Sequence, residues 1–255
     1  MRSPRVLHWQ TPGRVWAADF TEPSRYATAV SLPPIAGRYP YVLAVRDLAS
    51  GSMLAWQPLP VLTEEVTSAV LARLFAVHGA PLILKVDNGP AFRAADFQDF
   101  LLASRVIPLY SPPSCPSYNG AIEAAIGSLK KRTENEAHAQ GRSGQWALAD
   151  LAAAQTAANA SHPRRLNGRT PAAVWASRKW IDPLERVVFE LTVQRQRFRV
   201  RDELGIDQEE TLDHWRQSAV DRQALERALV EHGHLLFTRR RIPLRIKAGK
   251  VAADG

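Results

Sequence analysis

The sequence predicts an α/β fold in which a mixed five-stranded sheet is flanked by helices and followed by a mainly helical, basic C-terminal region. First, the segment from Arg14 to Phe20 has apolar residues at both parities, which is typical of a strand covered on both faces. Second, the apolar segments run in the order of three strands, then helix, strand, helix, strand, helix and helix. That order favours an antiparallel meander joined to parallel strands. Third, the chain becomes helical in pattern and basic after Trp180.

The first half of the chain supplies three strands and one helix. Residues 39–59 contain two strands around the turn at Ser50-Gly51-Ser52, which predicts a hairpin. Thr63 is expected to cap the next helix, because acidic residues follow it directly. The buried stripe of this helix is predicted at Val66, Val70, Leu74 and Val77.

The second half of the core supplies two further strands and the longer helices. Residues 81–86 form the fourth strand, and a helical pattern follows it. Residues 105–110 form the short fifth strand. A loop rich in proline and serine then leads into a long helix that begins near Gly120, and an Ala-rich helix covers about residues 145–160.

These elements divide the chain into three predicted regions. Residues 1–13 form an N-terminal extension, residues 14–180 the core, and residues 181–255 the basic, mainly helical region. The last region has a clear helix start, because Asp182 can cap a helix and Pro183 suits its first position. A second helix and a basic tail follow.

Composition limits the classes of protein to which the chain can belong. The 255 residues carry a formal net charge of +8, which favours a nucleic acid or another anionic partner, although solubility alone would also explain it. The single cysteine, Cys115, excludes an internal disulfide framework and a cysteine-rich zinc module. No apolar run is long enough to span a bilayer, and the N-terminus has no signal-peptide core, so we expect a cytoplasmic protein. The basic residues gather at Lys130-Lys131-Arg132, Arg164-Arg165 and Arg239-Arg240-Arg241.

Three carboxylates occupy positions that suggest a common site. Asp19 lies inside the first strand, Asp87 at the tip of the fourth, and Glu123 in the first turn of the long helix. If the first and fourth strands are neighbours, Asp19 and Asp87 lie side by side, and the returning helix can bring Glu123 opposite them. Clustered carboxylates raise one another's pKa unless a cation lies among them. An all-oxygen donor set favours Mg²⁺ or Mn²⁺, and two such ions can activate one oxygen and stabilise another.

Each acid also has a simpler interpretation. Asp19 alone could be a strand aspartate with satisfied hydrogen bonds, and Glu123 alone could complement the helix dipole. The Asn-Gly pair after Asp87 is a strong hairpin signal, but the residues that follow have helical rather than strand spacing. Asp47, at the end of another strand, is expected to serve a turn.

Taken together, Asp19, Asp87 and Glu123 resemble the D,D-35-E signature of retroviral integrases and bacterial insertion-sequence transposases. Thirty-five residues separate Asp87 from Glu123, which is the spacing of the family. The surrounding sequences also match, with "WAADFT" around the first acid, "DNGPAF" around the second and "SPPSCPSYNGAIEAAIGSLK" through the third. The resemblance covers about residues 10–177 and ends in "RRLNGRTPAAVW".

This resemblance implies an RNase H-like fold, with Asp19, Asp87 and Glu123 as catalytic residues that hold two Mg²⁺ or Mn²⁺ ions. The implied reaction is cleavage at a DNA 3′ end followed by strand transfer. The implied partner is double-stranded DNA, bound by a homo-oligomer in the cytoplasm at the nucleoid. Transposases of this group generally carry a helix-turn-helix region before the core, and none fits before Trp16. Three alternatives follow: a separate polypeptide supplies that region, the chain is a truncated remnant, or the C-terminal region substitutes.

Residues around the three acids are predicted to position them and to contact DNA. The buried stripe of the long helix is predicted at Ile122, Ile126 and Leu129. On the adjacent stripe, Gly127 leaves a gap for a DNA backbone between Glu123 and Lys130. Asn119 is also expected to cap the long helix. The predicted turn and positioning residues are Asn88, Gly89, Gly120 and Gly127. The predicted DNA-binding residues are Lys130, Lys131, Tyr118, Asn119 and Arg164.

Two other functions fit the same sequence. The first is a truncated, non-catalytic DNA-binding protein that regulates a full-length transposase through mixed oligomers. The second is an RNase H-like nuclease that cuts DNA without joining it. A strand-transfer assay with Mg²⁺ or Mn²⁺ separates all three functions.

Overall fold

The computed structural model describes residues 5–23, 30–32, 35–113 and 116–239. Cys115 and the basic tail from Arg240 onward lie outside the described residues. The strands are β1 (Arg5–Trp9), β2 (Val15–Thr21), β3 (Val30–Leu32), β4 (Ile35–Tyr39), β5 (Tyr41–Asp47), β6 (Met53–Leu59), β7 (Ile83–Val86), β8 (Ile107–Tyr110), β9 (Trp146–Ala147) and β10 (Leu235–Arg239). The α-helices are α1 (Glu64–His78), α2 (Pro90–Arg93), α3 (Ala95–Ala103), α4 (Gly120–Ala139), α5 (Leu148–Asn159), α6 (Pro171–Ala176), α7 (Pro183–Glu203) and α8 (His214–Glu231). None of the helices within the described ranges is long and apolar enough to cross a membrane.

The central sheet has five strands in the order β6-β5-β2-β7-β8. Strand β5 pairs antiparallel with β2 and β6, whereas β7 pairs parallel with β2 and β8. The predicted mixed five-stranded sheet is therefore confirmed, and its helix-flanked architecture is RNase H-like. The first and fourth predicted strands are neighbours, because Trp16 of β2 pairs with Leu84 of β7. A smaller sheet of order β4-β3-β9, which the sequence did not predict, lies outside this core sheet.

Helices cover both faces of the central sheet, as the two-sided apolar pattern of β2 predicts. Trp16 is fully buried and belongs to the core that includes Phe97 of α3. Ala17 points the other way, into the core that includes Ile122 of α4. Because side chains alternate along a strand, Asp19 shares the face of Ala17 and therefore lies on the α4 side of the sheet.

Helix α1 begins where predicted, and its buried side differs from the prediction at Val77. Thr63 caps it, since its hydroxyl oxygen accepts a hydrogen bond from the helix backbone at 3.3 Å. Val70 is buried as expected, whereas Val77 is 66% exposed, so its prediction as a core residue was wrong. The reason is that the ring of Phe75 contacts the ring of Trp16, with centroids 5.6 Å apart. The larger aromatic area decides which side of the helix faces the sheet.

The C-terminal region is mainly helical, as predicted, and it packs against the α4 side of the core. Phe189 of α7 and Leu229 of α8 are fully buried or nearly so, in the same cluster as Ile83 of the central sheet. Strand β10 pairs antiparallel with β1, with Leu235 opposite Trp9. This strand pair was not predicted, because its partners lie at opposite ends of the chain and carry no local pairing signal.

A buried ion pair joins the start of β2 to α7. Arg14 is 5% exposed, and its Nε and Nη2 atoms donate to the two carboxylate oxygens of Glu185, each at 2.7 Å. Its Nη1 atom donates to the backbone carbonyls of Pro12 and Lys179. This bidentate geometry satisfies a charge that would otherwise be costly to bury.

Replacing Glu185 tests how firmly the C-terminal region is held. We expect Glu185→Gln to lower the free energy of unfolding by about 1 to 3 kcal/mol, because the buried Arg14 would keep its charge without a carboxylate partner. The matched control is Glu190→Gln on the same helix, whose partner Arg105 is an exposed side chain. Urea denaturation should show a much smaller loss for the control. Equal losses in the two variants would contradict this role of the Arg14–Glu185 pair.

Candidate active site

Parallel pairing of β2 with β7 sets Asp19 beside Asp87. Ala17 pairs with Lys85, and each aspartate lies two residues beyond that pair, Asp19 within β2 and Asp87 directly after the end of β7. Since the side-chain period of a strand is two, both aspartates point to the sheet face on which α4 packs. The two carboxylates that the sequence predicted to be neighbours therefore occupy corresponding positions at the carboxyl ends of adjacent strands.

The turn after β7 fixes the direction of Asp87. The backbone N–H of Gly89 donates to Asp87 Oδ1 at 2.9 Å. A Cβ atom on Gly89 would lie 3.0 Å from that same oxygen, so a larger residue at this position would crowd the carboxylate of Asp87. The side-chain amide of Asn88 donates to the carbonyl of Ser111 at 2.8 Å and so ties the turn to the end of β8.

Helix α4 presents Glu123 beside its buried stripe. The predicted stripe is confirmed, with Ile122, Ile126 and Leu129 all buried. On the adjacent stripe, Glu123 and Gly127 are exposed and Lys130 is half-buried. Apart from its chain neighbours and the adjacent backbone of α4, no described residue has an atom within 4 Å of where a Cβ on Gly127 would be, so this face of the helix is open.

The three carboxylates influence one another electrostatically. The pKa of Asp19 is raised from its ordinary value of 3.8 to about 6, first by burial and next by the negative charge of Asp87. Glu123 adds a further, smaller rise. The N–H of Phe20, which donates to Asp19 Oδ1 at 2.8 Å, and the ammonium of Lys85 oppose this shift. All three predicted acids thus lie close enough to affect the same proton.

Carboxylate oxygens are suitable ligands for a divalent cation. The three carboxylates do not, however, point to one common position in this structure. Across the described ranges, no group of three or more His, Cys, Asp or Glu side chains stands where it could hold a metal ion. Asp19 and Asp87 each direct one oxygen to a backbone N–H, and Glu123 lies on the exposed stripe of α4. Carboxylate-only donors suit hard cations such as Mg²⁺ or Mn²⁺. Joint ligation would require at least one of the three side chains to turn.

Two basic residues that the sequence reasoning missed hold the start of α4. Lys85 is 6% exposed, and its Nζ atom donates to the carbonyl of Tyr118 and, at 2.7 Å, to Asn119 Oδ1. Arg46 Nη1 donates to the carbonyl of Ala121 at 2.6 Å. The sequence did carry a signal for these two residues, because a lysine and an arginine lie inside apolar strands and such residues are rarely buried without a partner. They position the helix that carries Glu123.

The remaining predicted residues have varied surroundings. The Asn119 side chain does not cap α4, contrary to the expectation, because its carbonyl oxygen accepts from Lys85 instead. Tyr118 is half-buried, with its ring centroid 4.2 Å from Lys85 Nζ. Lys131 and Arg164 are exposed, and Gly120 has open space where a Cβ would lie.

Asp47 serves a turn, as expected. It is fully buried, and its Oδ2 atom accepts from the N–H and the hydroxyl of Ser50 at 2.7 and 2.6 Å. Its Oδ1 atom accepts from the N–H of Gly13 at 2.8 Å. These bonds leave Asp47 no part in the carboxylate site.

Comparison with known proteins gives relatives of retroviral origin. The chain is 29% identical over 147 residues to the Gag-Pro-Pol polyprotein of Mason-Pfizer monkey virus, which is 56% of this chain and 7% of the polyprotein. It is 33% identical over 122 residues to the Pol-related polyprotein of mouse intracisternal A-particle MIA14, which is 47% of this chain and 12% of that protein. The chain thus spans a small part of the curated relatives that it matches. No protein-family model matches it.

The fold has a counterpart among solved structures. A chain in the cryo-EM structure of the simian T-cell lymphotropic virus intasome, in complex with PP2A regulatory subunit B56 gamma, superposes with a TM-score of 0.58 at 19% identity. The match covers 70% of this chain and 59% of that one. Together with the strand order, this likeness establishes the RNase H-like fold of retroviral integrase catalytic cores, in a chain whose sequence is similar to retroviral Gag-Pro-Pol polyproteins.

The raised pKa of Asp19 predicts a stability change with a definite sign. Between pH 3.8 and about 6 the folded chain keeps a proton that the unfolded chain releases, so ionised Asp19 destabilises the fold above that range. We expect Asp19→Asn to raise the melting temperature at about pH 8 and to have little effect below about pH 4. Thermal unfolding in EDTA at both pH values measures this. A lower melting temperature of Asp19→Asn than of the wild type at the higher pH would contradict the assignment.

Proposed function

We propose that this chain is a transposase or integrase that cleaves DNA at a 3′ end and transfers the strand, in a metal-dependent reaction of the D,D-35-E type. The observation that carries the proposal is the side-by-side placement of Asp19 and Asp87, with Glu123 close enough to raise the pKa of Asp19. Retroviral polyproteins as relatives and the integrase-core fold support it. The spacing and sequence context of the acids support the finer assignment to the bacterial insertion-sequence type.

We propose that Asp19, Asp87 and Glu123 hold Mg²⁺ or Mn²⁺, with two ions per site. Such cations would neutralise charge that develops on the phosphate and activate the attacking oxygen. The carboxylate-only donor set supports this choice, as does the unfavourable ionisation of Asp19 beside two other acids, which a cation would relieve.

In this proposal the other residues of the site either position the three carboxylates or contact DNA. Lys85 and Arg46 fix the start of α4 and so set the position of Glu123. Asn88 and Gly89 aim Asp87, while Gly120 and Gly127 keep the adjoining face of α4 open. Direct contacts to DNA phosphates and bases are assigned to Lys130, Lys131, Tyr118, Asn119 and Arg164.

The organisation and partners form part of the same proposal. Residues 14–180 are the catalytic core, residues 1–13 an extension and residues 181–255 a basic, mainly helical region. The partners are double-stranded DNA and further copies of the chain. The place of action is the cytoplasm, at the nucleoid.

A strand-transfer assay with Mg²⁺ or Mn²⁺ tests the function. We expect Glu123→Gln and Asp87→Asn each to abolish cleavage and joining, because each removes a carboxylate from the site, while DNA affinity stays within about threefold of the wild type. The matched control is Glu136→Gln, farther along the same helix, which should keep wild-type activity.

The outcomes separate the three candidate functions. Joined products support the transposase, cleavage without joining supports an RNase H-like nuclease, and DNA binding without either supports a non-catalytic regulator. Strand transfer that persists in a clean Asp87→Asn preparation would overturn the assignment of the acids.

A further inference from the structure

A large cleft lies between the central sheet and the elements β1, β10 and α8. Its volume is about 1030 Å³. One wall comes from the sheet and includes Arg46 and Lys85, and the facing wall comes from β1, β10 and α8 and includes Arg222. Lys85 connects the cleft to the acids, because it precedes Asp87 by two residues and points to the same face of the sheet.

The lining of this cleft is strongly basic. Among the residues that the structure describes, it carries one carboxylate, Glu226, and the Lys or Arg side chains Arg46, Lys85, Arg165, Arg169 and Arg222. The lining also includes the aromatic rings of Trp9 and Tyr118. Cations interleaved with aromatic rings are the composition that recognises a nucleic-acid strand, through its phosphates and the faces of its bases.

Two arginines of the sheet-side wall are held close together. Arg46 Nη1 donates to the carbonyl of Ala121 and Arg165 Nη1 to that of Ala49, each at 2.6 Å. Their guanidinium groups fill the space where a Cβ on Gly51 would lie, which explains a glycine there. Burial, followed by the charge of Arg165, lowers the pKa of Arg46 to about 10. An anion between the two groups would relieve that repulsion.

The facing wall offers a guanidinium with unused hydrogen-bonding capacity. Arg222 Nη1 is buried and has no hydrogen-bond partner among the described residues. A buried donor without an acceptor is costly, so a ligand oxygen at this position would be stabilising. The cleft therefore offers donors for an anionic ligand from both of its walls.

We propose that this cleft binds the phosphodiester backbone of a single nucleic-acid strand, with Arg46 and Arg165 holding one phosphate and Arg222 contacting the strand from the opposite wall. The proposal rests on the proposed function and deepens it, because the strand would lie along the sheet face that carries Asp19 and Asp87. Free nucleotides and inorganic phosphates share the same chemistry, so the test distinguishes them from a strand.

Fluorescence anisotropy with a labelled single-stranded oligodeoxynucleotide measures the affinity without requiring catalysis. We expect Arg165→Gln and Arg222→Gln each to raise Kd about tenfold and to reduce the salt dependence by about one phosphate contact. The matched control is Arg73→Gln, an exposed arginine of α1 over the opposite face of the sheet, which should change Kd less than about twofold. The Arg222 variant guards against a folding artefact, since its buried Nη1 makes no hydrogen bond within the described residues.

Competition identifies the ligand. An unlabelled strand should displace the probe from the wild type, whereas pyrophosphate at the same concentration of phosphate should not. Equal affinities of the two cleft variants and Arg73→Gln would overturn the proposal, and so would displacement by pyrophosphate as effective as displacement by the strand. If the wild type neither cleaves nor joins DNA, while both cleft variants bind the strand more weakly than the wild type does, the proposed function is overturned and the cleft assignment stands.

Discussion

Parallel pairing between β2 and β7 determines where both aspartates lie, and the rest of the site is arranged around that pairing. A shift of one residue would turn either carboxylate to the opposite face, among Trp16 and its apolar neighbours. The register is held because both faces are buried, so a shift would also carry large apolar side chains into unsuitable surroundings. The acids are thus positioned by core packing on the two sides of the sheet rather than by bonds to one another.

Acidic and basic side chains lie next to one another on this face of the sheet. The acids lie at the carboxyl ends of β2 and β7. Lys85 of β7 and Arg46 of β5 both pair with Ala17, two residues before Asp19, and they anchor the start of α4. The anchored helix brings a third negative charge toward Asp19, which raises its pKa. Such an arrangement costs stability at neutral pH, and costs of this kind are expected where side chains are placed for function rather than for folding.

The termini complete this face in a way that local sequence cannot reveal. Strand β1 finds its partner in β10 at the other end of the chain, and α7 is joined to β2 through Arg14 and Glu185. Strands β1 and β10, together with α8, form one wall of the basic cleft. Among the described residues, five lysine and arginine side chains line this one cleft, which reaches the site through Lys85, two residues before Asp87.

The sequence predicted what depends on periodicity and on order along the chain. The two-sided pattern of β2, the stripe at Ile122 and Ile126 and the order of the five core strands along the chain all follow from such signals and match the structure. Two other predictions were wrong because side chains competed for the same position or the same hydrogen-bond partner. Phe75 rather than Val77 selected the buried side of α1, and Lys85 took the side-chain oxygen of Asn119 that was expected to cap α4. Neither outcome can be read from one segment, because each depends on a partner far away in the chain.

The central claim is that Asp19, Asp87 and Glu123 form one metal site, and anomalous diffraction from crystals grown with Mn²⁺ tests it most directly. We predict an anomalous peak bonded to oxygens of all three carboxylates, with at least one of those side chains turned from the direction described above. Manganese peaks found only at other residues, with the three carboxylates still apart, would contradict the claim.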